Sequence, residues 1–317
     1  MKKKIFTGLA ATAFVMVLWS CQKSGVGHGN PITPPATAPF KILDSVQMVS
    51  DLEQLSSDAF KGRKSDYPEI VLTHQLIQKR LREAGVDSFA NGFEQPFTIG
   101  AVVHKNLVGV IKGSQKPDEY IVMGAHYDHV GVRSSDGEVY NGADDNAAGV
   151  AAVLAAAKYF KAHPPKHSII FSLWAAEEIG LLGSKYFTNN LPAPIQLAQL
   201  KFYLNLDMIA RSDNNKIWAC GLHHYPAYAY LVDSLQGKTN IQLTAGYDSP
   251  SSPQDWTFLS DQGSFHQKSI PFLYLGVEDH ADYHKVTDEF SKIALPKFIE
   301  NANIAAQMML LLDRKIN

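Results

Sequence analysis

The run Tyr120-Ile-Val-Met-Gly-Ala125 passes without a break into His126-Tyr127-Asp128-His129. Six nearly apolar residues in a row read as a strand covered on both faces, as interior strands of a parallel sheet are. Working outward, short strand-like runs also lie at Asn106–Lys112, Ser168–Trp174, Phe202–Leu206 and Pro271–Leu275. Helical patterns occupy Asp44–Leu55, Tyr67–Ala84, Ala147–Ala162, Gly180–Asn190, Pro226–Leu235 and Pro296–Leu312. In the second of these, Ile70, Thr73, Ile77, Leu81 and Ala84 share one face, and Gly85 follows as a stop. Strands alternating with helices predict an α/β fold, a three-layer sandwich around a mostly parallel sheet. Ligands of such sheets bind beyond the carboxyl ends of the strands.

Composition narrows the function. The 317 residues carry 29 Lys and Arg against 31 Asp and Glu, a net charge of −2. No basic surplus exists to hold a phosphate backbone, so no nucleic-acid partner is expected. Two cysteines are too few for a disulfide framework or a cysteine-rich zinc site.

The first residues read as a targeting segment. Lys2, Lys3 and Lys4 precede an apolar stretch from Ile5 to Trp19, too short to span a bilayer comfortably and typical of a signal peptide. Leu18-Trp19-Ser20-Cys21 resembles the lipobox of bacterial lipoproteins, in which the cysteine is acylated and becomes the mature N-terminus. Trp19 departs from the smaller residues usual there. The expectation is a signal peptide over 1–20, a flexible tether over 21–38 rich in Gly, Ser, Pro and Thr, and one catalytic domain over 39–317. Removing the first 20 residues, with three lysines and no acid, takes the net charge to −5. A lipid on Cys21 would anchor the protein at an extracytoplasmic membrane surface. The absence of an acidic run after Cys21 favours the periplasmic face of an outer membrane.

Polar clusters follow the strand-like runs. His126 and Asp128 leave the first; Asn141-Gly-Ala-Asp144-Asp145-Asn146 opens an alanine-rich helix; Glu177 and Glu178 follow Trp174; Asp207 ends Leu204-Asn-Leu; Asp282-Tyr283-His284 and Asp288 follow Leu275. Each has a plain structural reading. His126 suits a hydrogen-bonded core histidine, Asp145 or Asn146 an N-cap, and the glutamates a solvated turn. Together they are hard and borderline ligands without a thiolate, a mix that suits zinc. Three carboxylates and two imidazoles exceed one tetrahedral ion and fit two ions sharing a bridging carboxylate.

The segments GAHYDH, NGADDNAAG, AAEEIGLLGS, LNLDM and DYHKVTD, in this order, resemble the co-catalytic zinc aminopeptidase and peptide-hydrolase family. The resemblance runs from about Asp51 to the C-terminus and includes Leu55-Ser-Ser-Asp-Ala-Phe-Lys-Gly-Arg63. It implies a phosphorylase/hydrolase-like fold and hydrolysis of N-terminal residues from peptide substrates. It also implies two zinc ions, one held by His126 and Asp207, the other by Glu178 and His284, with Asp145 between them. Glu177 would be the general base, Asp128 would fix the tautomer of a ligand histidine, and Tyr283 would donate to the oxyanion. Asp144 is expected in a supporting or capping role. Leu259-Ser-Asp261-Gln262 departs from the Ser-Asp-His of many relatives, which leaves the role of Asp261 open. His223 and His224 are expected to be ordinary loop residues and Cys220 a lone buried thiol, while His266 and His280 are expected on the surface or in the core rather than lining the pocket.

Related chains of this fold include carboxypeptidases and glutaminyl cyclases, the latter typically with one zinc. A non-catalytic peptide-binding lipoprotein is a further alternative. Side-chain preference and oligomeric state are not legible.

Overall fold

The structure, a computed structural model, describes residues 39–89 and 92–316. The signal peptide over 1–20, the tether over 21–38 and Cys21 lie outside the described residues. From Pro39 onward the chain forms one unit.

Among the described residues one sheet contains β1 (Asp87–Ser88), β2 (Glu94–Ile99), β3 (Val102–Ile111), β4 (Lys116–His126), β5 (His167–Trp174), β6 (Leu200–Leu206), β7 (Lys216–Cys220), β8 (Gln242–Ala245) and β9 (Phe272–Gly276). Their order is β1-β3-β5-β4-β6-β9-β7-β8, with β2 paired to β3. The central four, β5-β4-β6-β9, are parallel to one another. Antiparallel pairing enters at β3 with β5 and at β7 with β9. The sheet is therefore mixed and mostly parallel at its centre.

The helices are α1 (Ser45–Leu55), α2 (Ile70–Glu83), α3 (Gly149–Ala162), α4 (Leu182–Asn189), α5 (Tyr230–Asp233), α6 (Gln262–His266) and α7 (Leu295–Lys315). Successive strand residues point to opposite faces, and the buried residues sort that way. Ile121, Met123 and Ala125 of β4 join a core with α1, α2, α3 and α7, whereas Tyr120 and Val122 join a second core with Phe187 of α4 and Phe265 of α6. Both faces being covered from Tyr120 onward, β4 can be apolar from Tyr120 to Ala125, and three layers result. The alanines of α3 let it lie close against the sheet, and every residue from Gly149 to Ala157 is buried.

Elements with strong periodicity stand near their expected bounds. Thr73, Ile77 and Leu81 of α2 are buried, and Asp44 caps α1 by accepting from the Gln47 amide. Gly180–Asn190 begins later than expected, at Leu182, because Leu181 takes a left-handed conformation with φ 60°. Pro226–Leu235 starts as a 3-10 turn over Pro226–Tyr228, and α5 is one turn long. Strands β2 and β8 carry no continuous apolar run and escape the pattern, as does β7 with its short run Ile217–Cys220. No described helix is long and apolar enough to cross a membrane.

Register aligns the strand ends. His126, the last residue of β4, pairs with Trp174, the last of β5, and Leu206 of β6 pairs with Leu275 of β9. The residues just beyond these four ends therefore converge on one rim.

Candidate active site

That rim carries the polar clusters. Asp145 is almost fully buried, and its two carboxylate oxygens face different partners. Oδ1 lies 3.3 Å from His126 Nε2, and Oδ2 lies 3.1 Å from His284 Nε2. His126 Nε2 is also 3.3 Å from Asp207 Oδ1, and His284 Nε2 is 3.1 Å from Glu178 Oε2. Two groups result, His126–Asp145–Asp207 and His129–Asp145–Glu178–His284, in each of which the ligand atoms lie within 4.8 Å of one another. All five residues expected as metal ligands are thus brought together, and Asp145 belongs to both groups.

His129 was not assigned a role from the sequence. Its Nδ1 donates to Glu178 Oε1 at 2.7 Å and lies 3.6 Å from Asp145 Oδ2. The adjacent Gly142 has φ 55°, and a Cβ there would collide with the Asp145 carbonyl and the His129 ring. Its place beside Asp128 in GAHYDH was the available signal.

His126 Nδ1 donates to the Asp128 main-chain carbonyl at 3.1 Å. A carbonyl only accepts, so Nδ1 carries a proton, and Nε2 is the nitrogen that faces the carboxylates and could ligate a metal ion. The Asp128 carboxylate stands farther off, at 4.0 Å from Nδ1. It accepts instead from the amides of Glu177 and Glu178, at 3.0 and 3.4 Å, and so holds the glutamate turn. Asp128 therefore orients the ligand histidine through its backbone and the two glutamates through its side chain.

The loop bearing Asp145 is held from two sides. Asp288 accepts from the amides of Asp144 and Asp145 at 3.0–3.1 Å. Asp144 accepts from the Ala210 amide and pairs with His280 at 3.1 Å, so His280 supports the loop and does not line the cavity that holds the ligand groups. From below, the fully buried Arg63 donates to five carbonyls, those of Leu55, Tyr127, Asn141, Gly142 and Asp145. Every N–H direction of the guanidinium is used. Burial lowers its pKa to about 10, and it remains a fixed positive charge beneath the acids. Arg63 stood in a quoted motif, but nothing in one sequence shows which carbonyls an arginine will reach.

Electrostatics show a cluster that calls for cations. Burial opposes charge on His284, yet Asp145 and Glu178 raise it to about 10. His126 is raised well above its ordinary value against burial, by Glu177, Asp207 and Asp145. Burial also works against ionisation of Asp145, but His129, His126 and His284 hold it well below the carboxylate range. Glu178 is brought down to about 2 by His129 and His284 despite burial. Histidine ligands bind a metal ion in their neutral form, so metal binding here would release protons. Glu177 gains such relief from His126, but too little. Burial, reinforced by Asp261, Asp207 and Glu178, pushes it well above the usual range. Asp261 is fully buried without a hydrogen-bond partner on either oxygen, and burial raises it to about 7. Gln262, where relatives often have histidine, is tied to Asn205 and the Trp256 carbonyl instead.

His126, Asp145, Glu177, Glu178, Asp207, Tyr283 and His284 line one cavity of about 310 Å³, whose other walls are Leu181, Met208, Phe258 and Leu259. Tyr283 stacks on His284 at 4.0 Å, and burial keeps its phenol protonated far above neutral pH. His223, His224 and His266 lie elsewhere; His224 pairs with Thr257 and His266 with Tyr225. Cys220 is a buried free thiol.

The sequence model of peptidase family M28 matches residues 106–309, which hold every residue of both groups. The chain belongs to peptidase family M28. A leupeptin-inactivating enzyme of Streptomyces exfoliatus is 40% identical over 203 residues, 62% of this chain and 41% of that protein. The chain spans less than half the length of the curated relatives it matches. Among solved structures, a zinc aminopeptidase from Bacillus subtilis superposes with a TM-score of 0.67 at 17% identity, covering 86% of this chain and 95% of that one. A glutaminyl cyclase from Fimbriiglobus ruber gives 0.68 at 19% identity over 85% and 95%. At such identities these two likenesses establish the fold.

Proposed function

We propose that this M28 chain is a zinc-dependent aminopeptidase that removes N-terminal residues from peptides at a site for two zinc ions. The observation that carries the reading is Asp145, which offers one carboxylate oxygen to each ligand group. The donor set fits the metal. Imidazole and carboxylate without thiolate suit zinc with open positions, and a second carboxylate completes each group. The charge balance fits too, because Asp145, Glu178 and Asp207 are carboxylates crowded together with little solvent, which calls for cations.

His126, Asp207 and Asp145 would hold one ion, and Glu178, His284 and Asp145 the other. When bound, the pair supplies a water that ionises near neutral pH and polarises the scissile carbonyl. Glu177 accepts the proton from that water and delivers it to the leaving amine. With cations held beside it, the raised pKa of Glu177 would fall, so that it could act as a base. Tyr283 donates its phenolic proton to the developing oxyanion. The carboxylates of the 310 Å³ cavity can hold a free α-amine, while Leu181, Met208, Phe258 and Leu259 face an apolar first side chain.

A panel of leucine amide and its N-acetylated counterpart, with and without chelator, tests this. The free amide should be cleaved, the acetylated one spared, and chelation should abolish turnover. Cleavage of the acetylated amide at a similar rate would count against an aminopeptidase. The glutaminyl-cyclase reading shares the fold but is favoured by no residue of the site, since both ligand groups are complete.

We also propose that Cys21 is acylated and tethers the enzyme to a membrane, facing the periplasm. Lys2–Lys4, the apolar run to Trp19 and Leu18-Trp19-Ser20-Cys21 support it. Cys21→Ser should abolish incorporation of a labelled fatty acid, and retained label would refute the anchor.

A further inference from the structure

His129 has no part in the chemistry above, yet it is built into the site from three sides. Its main-chain amide donates to the Arg63 carbonyl at 3.3 Å. Its ring lies against Gly142, where any Cβ would collide with it, and Nδ1 stands 2.7 Å from Glu178 Oε1. The side chain is wholly buried. Glu178 therefore faces two imidazoles with different oxygens, Oε1 towards His129 and Oε2 towards His284 Nε2 at 3.1 Å.

The distances separate the two kinds of contact. Ligand atoms on one tetrahedral zinc, each about 2.0–2.1 Å from it, stand about 3.3 Å apart. The contacts of His126 and His284 with Asp145, Asp207 and Glu178, at 3.1–3.3 Å, have that spacing. The 2.7 Å between His129 and Glu178 is instead the length of a charge-assisted hydrogen bond. Asp145 Oδ2, at 3.6 Å, is too far to compete for the same proton. Bonding a metal through Nδ1 would also move the ring proton to Nε2. That atom is buried and has no hydrogen-bond partner among the described residues, and a buried N–H left unpaired is costly.

We infer that His129 is a positioning residue for the metal: its Nδ1–H holds Glu178 Oε1 and presents Oε2 alone to the ion, so that Glu178 ligates through one oxygen. The inference rests on the two-ion reading above. A carboxylate that grips an ion with both oxygens takes two coordination places. With Oε1 held, one of them stays available for water or substrate, as a catalytic zinc requires. Hydrogen-bond partners of metal ligands are worth about 10–100-fold in metal affinity or activity.

Zinc titration against a competing chelator, on the full chain and two variants, tests this. His129→Phe keeps a ring against Gly142 and removes the donor; His129→Asn gives up the ring and keeps an N–H near the place of Nδ1. His129→Phe should weaken zinc about 10–100-fold at the position of Glu178 and His284, and less at that of His126 and Asp207. His129→Asn should recover most of the loss. Wild-type affinity in His129→Phe with a loss in His129→Asn would show a packing role and overturn the inference, as would unchanged affinity in both. Should the variants fail to fold or lose zinc equally, the crystal structure of the zinc-loaded wild-type chain decides. One Glu178 oxygen about 2.0–2.2 Å from the ion, with the other on His129, supports the inference. Two bonded oxygens, or His129 itself bonded to the ion, refute it. A wild-type chain that takes up no zinc fails the two-ion reading and this inference together, whereas two bound ions indifferent to both variants fail this inference alone.

Discussion

Glu177→Gln is expected to lower kcat by about 10²–10⁴-fold while leaving metal content unchanged. Glutamine keeps the size and the polarity of the side chain but can neither accept nor deliver a proton. Glu177 makes none of the contacts that join the two ligand groups, whose atoms come from His126, His129, Asp145, Glu178, Asp207 and His284. Its amide, which bonds Asp128, is untouched by the change. Loss of turnover with full metal loading therefore isolates proton transfer. Stopped-assay kinetics and elemental analysis on the same preparation check it, and retained activity would remove Glu177 from the role of base.

Asp145→Ala should act differently, emptying both metal positions at once. Even the partners that orient metal ligands are worth about 10–100-fold in affinity, and a shared ligand is worth more at each site. A loss above about 100-fold at both positions is therefore expected, with activity falling in parallel. Asp207→Ala is the control. It removes a carboxylate from the His126 group alone and should spare the position formed by Asp145, Glu178 and His284. Titration with zinc after chelation distinguishes the outcomes. Two independent losses on Asp145→Ala of unequal size would argue that the carboxylate serves one ion.

Much of this was readable because physics writes it locally. A stretch buried on both faces must be largely apolar, so Tyr120–Ala125 of β4 and Ser168–Trp174 of β5 announce themselves, and the charged residues that follow mark the rim. The five proposed ligands stand at such boundaries. Edge strands carry no such mark: β2 and β8 each mix polar and apolar residues along their length. The same limit hid the supports of the site. Arg63 finds five carbonyls as far away as Asp145, and Asp288 finds the amides of a loop 143 residues earlier. His129 was visible as a residue, yet its hydrogen bond to Glu178 exists only once β4 and β5 lie side by side. The same is true of Asp128, whose backbone carbonyl, rather than its carboxylate, meets His126.

The central claim is a pair of metal positions joined by Asp145. Elemental analysis of the purified full chain, after equilibration with excess zinc and removal of loosely held ion, tests it most directly. Two zinc ions per chain are predicted. One per chain, with the remainder of the ligand groups failing to take up zinc on titration, would contradict the account.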